Sequence, residues 1–150
     1  MKRLMAFLLV ALLLSFAACA QEPTPSVTGS ATGAVVMETP VGDLEYTSHF
    51  AANTRLESKE DDGLFSYTLY GSTGEHEALL FTVYVGERGE GRLFGFAPDG
   101  QGVMQAIYVQ IVEFQGDETW TQPELELVWQ MQQYVNDVID QIYELPGFQE

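Results

Sequence analysis

The stretch Leu64–Gly86, LFSYTLYGSTGEHEALLFTVYVG, decides the fold class. Leu64–Gly71 alternates, with Phe65, Tyr67 and Leu69 on one face and Thr68 and Tyr70 on the other. A period of two is the mark of a half-buried strand, because successive side chains point to opposite faces. Ser72-Thr73-Gly74-Glu75 supplies turn residues. His76–Gly86 then alternates again, placing Leu79, Phe81, Val83 and Val85 on one face and Leu80, Thr82 and Tyr84 on the other. Two alternating runs joined by a short polar turn predict a β-hairpin.

The same pattern extends in both directions. Upstream, Ala34–Thr39 and Leu44–Ser48 flank Pro40-Val41-Gly42-Asp43 and predict a second hairpin. His49–Asn53 reads as a short helical turn and Thr54–Lys59 as a third strand, with Glu60-Asp61-Asp62-Gly63 turning the chain into Leu64. Downstream, the loop Glu87–Gly91 leads to Arg92–Ala97, the turn Pro98–Gly102 and the strand Val103–Phe114. That last strand is apolar on both faces, which predicts an interior position in the sheet.

Thr121-Gln122-Pro123-Glu124 opens a helix, with Thr121 as N-cap and Glu124 completing a capping box. Leu125, Val128, Met131, Val135, Val138, Ile142 and Leu145 recur every three or four residues and form one apolar stripe, flanked by Trp129, Tyr134 and Ile139. Pro146-Gly147 ends it. The predicted architecture is α+β: an antiparallel meander of about six to seven strands with a C-terminal amphipathic helix packed on one face. It forms a single domain over residues 34–150.

The first residues have a different logic. Lys2 and Arg3 precede an apolar run, Leu4–Leu14, too short for the ~20 residues of a membrane-spanning helix but suited to the core of an export signal. Phe16-Ala17-Ala18-Cys19 resembles the lipobox of bacterial lipoproteins, although Phe16 stands where that pattern usually has leucine. The resemblance implies that residues 1–18 are a signal peptide and that Cys19 is the lipid-attachment residue, joined to diacylglycerol with palmitate-type acyl chains. Ala18-Cys19-Ala20 also allows an ordinary cut after Ala20, which would release a secreted protein, and an uncleaved anchor is a third outcome. Gln21–Gly33 is rich in Pro, Ser, Thr and Gly, with Val27 as its largest apolar residue. Such a segment buries too little surface to offset its ordering entropy, so residues 19–33 read as lipid anchor plus flexible tether. The expected location is the extracytoplasmic face of the cell membrane or the outer membrane.

After Cys19 the chain sets Arg55, Lys59, Arg88 and Arg92 against all 22 of its acidic residues. This balance repels phosphates, so nucleic-acid binding and charge-driven binding to anionic lipid are excluded. The single cysteine is assigned to lipid, leaving neither an intramolecular disulfide nor a thiol nucleophile. His49 and His76 lie in no metal or protease motif, and Ser48, His49 and Asp43 are too close in sequence to suggest a triad, so no catalytic residue is assigned. Glu60-Asp61-Asp62-Gly63 lacks the spacing of a calcium loop and reads as a solvated turn. Gly86–Gly91 and Pro98–Gly102 open no helix and read as hairpin turns rather than phosphate sites. No metal or cofactor is therefore expected. The remaining lead is the sheet face opposite the helix, where Tyr70, Tyr84 and Tyr108 lie among Thr68 and Thr82. Tyrosine offers contact area at low entropic cost, which suits binding. The competing expectation is that Ser48–Lys59, or a second copy of the chain, covers this face.

Glu38-Thr39-Pro40-Val41-Gly42-Asp43-Leu44-Glu45-Tyr46 and Met131-Gln132-Gln133-Tyr134-Val135-Asn136-Asp137-Val138-Ile139-Asp140 resemble a group of small uncharacterised lipoproteins. These carry an ETPYGxLxYP start and an MQxxVNxxI helix, and the chain departs from them at Val41 and Thr47. The resemblance implies location and fold and adds no site. A looser likeness, to the photosystem-associated PsbP-type α+β sandwiches, concerns fold alone. The expected function is a non-enzymatic binding or accessory domain, held at the membrane through Cys19 and meeting an envelope protein or a small ligand. The alternatives are a small cell-envelope hydrolase and an acidic cation-binding module.

Overall fold

The structure is a computed structural model that describes residues 33–150. Cys19, the signal segment 1–18 and all of 19–33 except Gly33 lie outside the described residues.

The fold is α+β. Strands β1 (Ala34–Thr39) and β2 (Gly42–Thr47) form a two-stranded antiparallel hairpin. A 3₁₀ turn at Ala51–Asn53 leads into β3 (Thr54–Asp61), followed by β4 (Leu64–Ser72), β5 (Glu77–Val85), β6 (Arg92–Pro98) and β7 (Met104–Ile111). These five make one antiparallel sheet in the order β3-β4-β5-β7-β6. Helices α1 (Gln122–Gln133) and α2 (Val135–Tyr143) close the chain.

The strand count is as expected, but there are two sheets rather than one, and the larger is not a simple meander. β7 has apolar residues on both faces and takes the position between β5 and β6. β6 carries Gly95 and Pro98, which weaken or interrupt a ladder, and takes the edge. The loop between β5 and β6 carries the chain past the place that β7 later fills, with Gly86, Arg88 and Gly91 all at positive φ. At the tip of the β3–β4 hairpin, Asp62 (φ 48°) and Gly63 (φ 79°) form a two-residue loop, the left-handed pair that suits the twist of a tight hairpin.

The hairpin and the helices lie together on the inner face of the large sheet. The core between them holds Met37, Leu44 and Tyr46 from the hairpin, and Leu69, Phe81, Val83 and Ile107 from the sheet. Val128, Met131, Val138 and Ile142 complete it from the helices. Polar atoms stitch these layers. The Tyr67 hydroxyl donates to the Glu38 carbonyl at 2.8 Å, and the buried Tyr46 hydroxyl donates to the Met131 carbonyl at 3.0 Å. Gln141 pairs with the free edge of β2: its Nε2 donates to the Glu45 carbonyl at 2.8 Å and its Oε1 accepts the Glu45 N–H at 2.7 Å.

Two local expectations are corrected. First, Leu79 does not share the core face with Phe81. The β4–β5 register runs Leu69↔Phe81 and then Tyr70↔Leu79, so Leu80 is an extra residue. This β-bulge flips the alternation, burying Ala78 and Leu80 completely or nearly so while Leu79 turns outward. Second, the C-terminal helix is interrupted at Tyr134. The Met131 carbonyl takes both the Tyr46 hydroxyl and the Tyr134 N–H, the latter at 3.3 Å, and this three-residue spacing tightens the turn. The apolar stripe nevertheless runs through the break, with Val128, Met131, Val135, Val138, Ile142 and Leu145 buried.

Candidate functional site

Alternation dictates what the outer face of the large sheet presents. Core residues Tyr67 and Leu69 point inward, so Ser66, Thr68 and Tyr70 point outward along β4. The pairings Ser66↔Tyr84, Thr68↔Thr82, Thr82↔Gln110 and Tyr84↔Tyr108 then carry one outward row across β4, β5 and β7. Tyr84 and Tyr108 are direct register partners, and Tyr70 lies on the same face two strands from Tyr108.

This face has two parts. At the β3 side, Arg55 lies over the Tyr70 ring, its guanidinium carbon 4.3 Å from the centroid. The same guanidinium holds Glu77 by two bonds, at 2.9 and 2.7 Å, and reaches Glu57 at 3.3 Å. Glu57 is shared with Lys59, and the two cations hold its carboxyl below the usual range, Lys59 foremost. At the β7 side, Thr68 and Thr82 exchange a hydroxyl bond at 3.1 Å, and the Tyr84 hydroxyl donates to Gln110 at 3.2 Å. Burial, and then the Glu90 carboxylate, raise the Tyr84 phenol above its ordinary value.

The strand expected to fold over this face does not do so. Thr54–Asp61 extends the sheet as its edge strand instead of folding over it. The β5–β6 loop does fold back: a Cβ on Gly89 would collide with the Tyr108 ring, so the loop backbone rests on the Tyr84–Tyr108 pair. Beyond it, Leu93, Phe96 and Met104 continue the outer surface and are exposed.

The histidines have partners that sequence spacing does not show. His76 Nδ1 is 2.8 Å from Glu124 Oε1, and Nε2 is 3.3 Å from the Thr119 hydroxyl. Trp120 stacks on the imidazole with centroids 4.6 Å apart. Glu124 Oε1 also accepts the Thr73 hydroxyl, and Oε2 accepts the Thr121 N–H at 2.9 Å as the predicted capping box requires. His76, followed by the Thr121 and Thr73 donors, holds the Glu124 carboxyl down to about 2. A hydroxyl, an imidazole and a carboxylate in line resemble a nucleophile chain. The Thr119 hydroxyl, however, donates to Asp117 at 2.6 Å, so its proton is not directed at His76 as a nucleophile's would be. The His76–Glu124 contact ties the β4–β5 turn to the start of α1.

His49 lies apart from it. Its Nδ1 is 3.0 Å from the Tyr134 hydroxyl, beside Phe50, at a shallow depression of about 370 Å³ lined by Gln130, Gln133 and Asp137. Among the described residues no three His, Cys, Asp or Glu side chains converge to hold a metal ion, and no helix is long and apolar enough to cross a membrane. No known protein family, curated protein or solved structure matches the chain.

Proposed function

We propose that this protein is a lipid-anchored, extracytoplasmic, non-enzymatic binding or accessory domain. In this reading Cys19 carries the acyl chains and Gln21–Gly33 is the tether. The domain meets another envelope protein through the outer face of its large sheet. One observation carries the reading: the hairpin and both helices cover one face of the sheet, while the other presents Tyr70, Tyr84 and Tyr108 with exposed apolar neighbours. Amphipathic rings on a rigid strand scaffold give contact area without much loss of freedom. The acidic charge selects a basic partner surface and speeds its approach. A small envelope hydrolase has less support. His76 has both nitrogens engaged, and His49 faces a tyrosine rather than a nucleophile.

The test is cross-linking in cells, then affinity purification from detergent-solubilised membranes. It compares the wild type with Cys19→Ala and with Tyr70→Ala/Tyr108→Ala. The expected result is a discrete protein recovered with the anchored wild type, lost with Cys19→Ala and weakened by the tyrosine changes. Equal solubility of wild type and Cys19→Ala without detergent would overturn the anchor. Undiminished recovery with the tyrosine variant would overturn the face.

A further inference from the structure

The layer over the inner face of the sheet leaves a gap beside α2. Between the start of β6, the end of β7 and the outer side of α2 lies an open groove of about 430 Å³, within the range of small-molecule sites. Phe94, Val109, Ile111 and Ile139 form its apolar walls, and Ile111 is 49% exposed there.

Its polar side chains are few. Arg92 lies at the rim, its guanidinium carbon 5.0 Å from the Phe94 ring centroid. Arg55 and Lys59 are paired with carboxylates, whereas Arg92 makes no ion pair among the described residues. Gln110 also lines the groove, but its amide is bound to Glu90 and to the Tyr84 hydroxyl. Asn136 faces the groove from α2, and its amide is not engaged by another described side chain. The groove therefore offers apolar walls, one guanidinium fork and one amide. A planar guanidinium presents paired donors that match a carboxylate bidentately. A dianion would suffer twice the repulsion from a chain with 22 acidic residues and has only one guanidinium to meet it.

We propose that this groove binds a small amphipathic monocarboxylate, with its alkyl or aryl tail against Phe94, Ile111 and Ile139 and its carboxylate on Arg92. The site is separate from the outer sheet face and does not depend on it. Because the groove is open rather than enclosed, affinity is modest, in the range of roughly 0.1–10 mM.

The test uses the full chain carrying Cys19→Ala, at neutral pH and physiological salt, where distant acids are screened more than a charge in contact. The probe is 4-phenylbutyrate, followed by amide ¹H–¹⁵N shifts, with 4-phenylbutanamide and 4-phenylbutylamine as neutral and cationic counterparts. Saturable shifts confined to Gly91–Phe94, Val109–Ile111 and Asn136–Ile139 are expected. Arg92→Gln, or use of the amide probe, should weaken binding about five-fold or more, roughly 1 kcal/mol. Absence of saturable shifts up to about 20 mM would overturn the proposal, as that limit lies above the affinity expected of it. So would an Arg92→Gln variant that titrates like its parent, or an amine probe that binds as well as the carboxylate.

Discussion

Gln132 is the side chain on which the bulge in β5 depends. Leu80, the extra residue, has no ladder partner in β4, and the β5–β7 pairing ends at Phe81↔Ile111. Its carbonyl is served by Gln132 Nε2 at 3.2 Å, and the same amide donates to the Val112 carbonyl at 2.8 Å. Gln132→Ala removes both bonds. Water can replace the exposed one, at a cost of about 0.5 kcal/mol, whereas the part-buried Leu80 carbonyl loses ~1–2 kcal/mol. The total is about 2 kcal/mol, or a fall in Tm of roughly 8 °C for a domain of this size. Gln132→Glu is the sharper variant. It keeps the shape but turns a carboxylate oxygen toward two carbonyls, so at pH 7 it should be less stable than Gln132→Ala. Protonating that glutamate restores one donor, so the deficit should shrink as pH falls toward 4. Denaturant unfolding at pH 7 and pH 4 measures both. If both variants lie within about 0.5 kcal/mol of wild type at pH 7, the size of a typical surface change, the bulge does not need Gln132 and the reasoning fails.

Two other outcomes follow from the titrating groups. Glu124 is held down to about 2, so its contribution is complete above its ordinary value and is lost as pH falls from about 4.5 toward 2. Glu124→Gln should therefore melt below wild type at pH 6 and converge with it near pH 2; an unchanged gap across that span would remove the Glu124 carboxylate as its cause. Tyr46 and Tyr67 are each pushed up to about 12, mainly by burial, so the folded state holds their protons and loses stability as pH rises past 10. In an absorbance titration these two of the seven tyrosines should ionise late and together with unfolding. Tyr46→Phe should remove one late proton and lower stability by about 1 kcal/mol through the lost bond to the Met131 carbonyl, which keeps only the longer Tyr134 N–H. Early titration of all seven would contradict the burial.

Local periodicity made most of the fold legible. Each of the seven strands lies where alternation put it, and the turns fall at their Gly, Pro and Asp residues. The Thr121–Glu124 box opens the helix as read. Three features were out of reach. The bulge at Leu80 is a register event between strands, and no period within one strand reveals it. The break at Tyr134 depends on a hydroxyl from Tyr46, distant in sequence. The separation into two sheets is a choice of pairing, which local pattern leaves open. For the site, parity alone placed Tyr70, Tyr84 and Tyr108 on one face. The Gly89 contact that half-covers two of them, the His76–Glu124 pair and the Arg92 groove arise from tertiary proximity.

The chain's last turn has a consequence for how copies of the molecule coexist. Phe96 and Gln149 exchange backbone bonds at 2.7 and 2.8 Å, and Phe148 packs beside Gly95 and Tyr143. One residue of tail thus occupies hydrogen-bonding positions on an edge strand whose outward neighbours, Leu93 and Phe96, are apolar. An unpaired, apolar edge is a template for another chain's strand. The Gln149 bonds take positions on this edge that a strand of another chain would otherwise use. A fusion or truncation that pulls Gln149 away would unblock that edge, so aggregation in such variants would report on the latch rather than on the core.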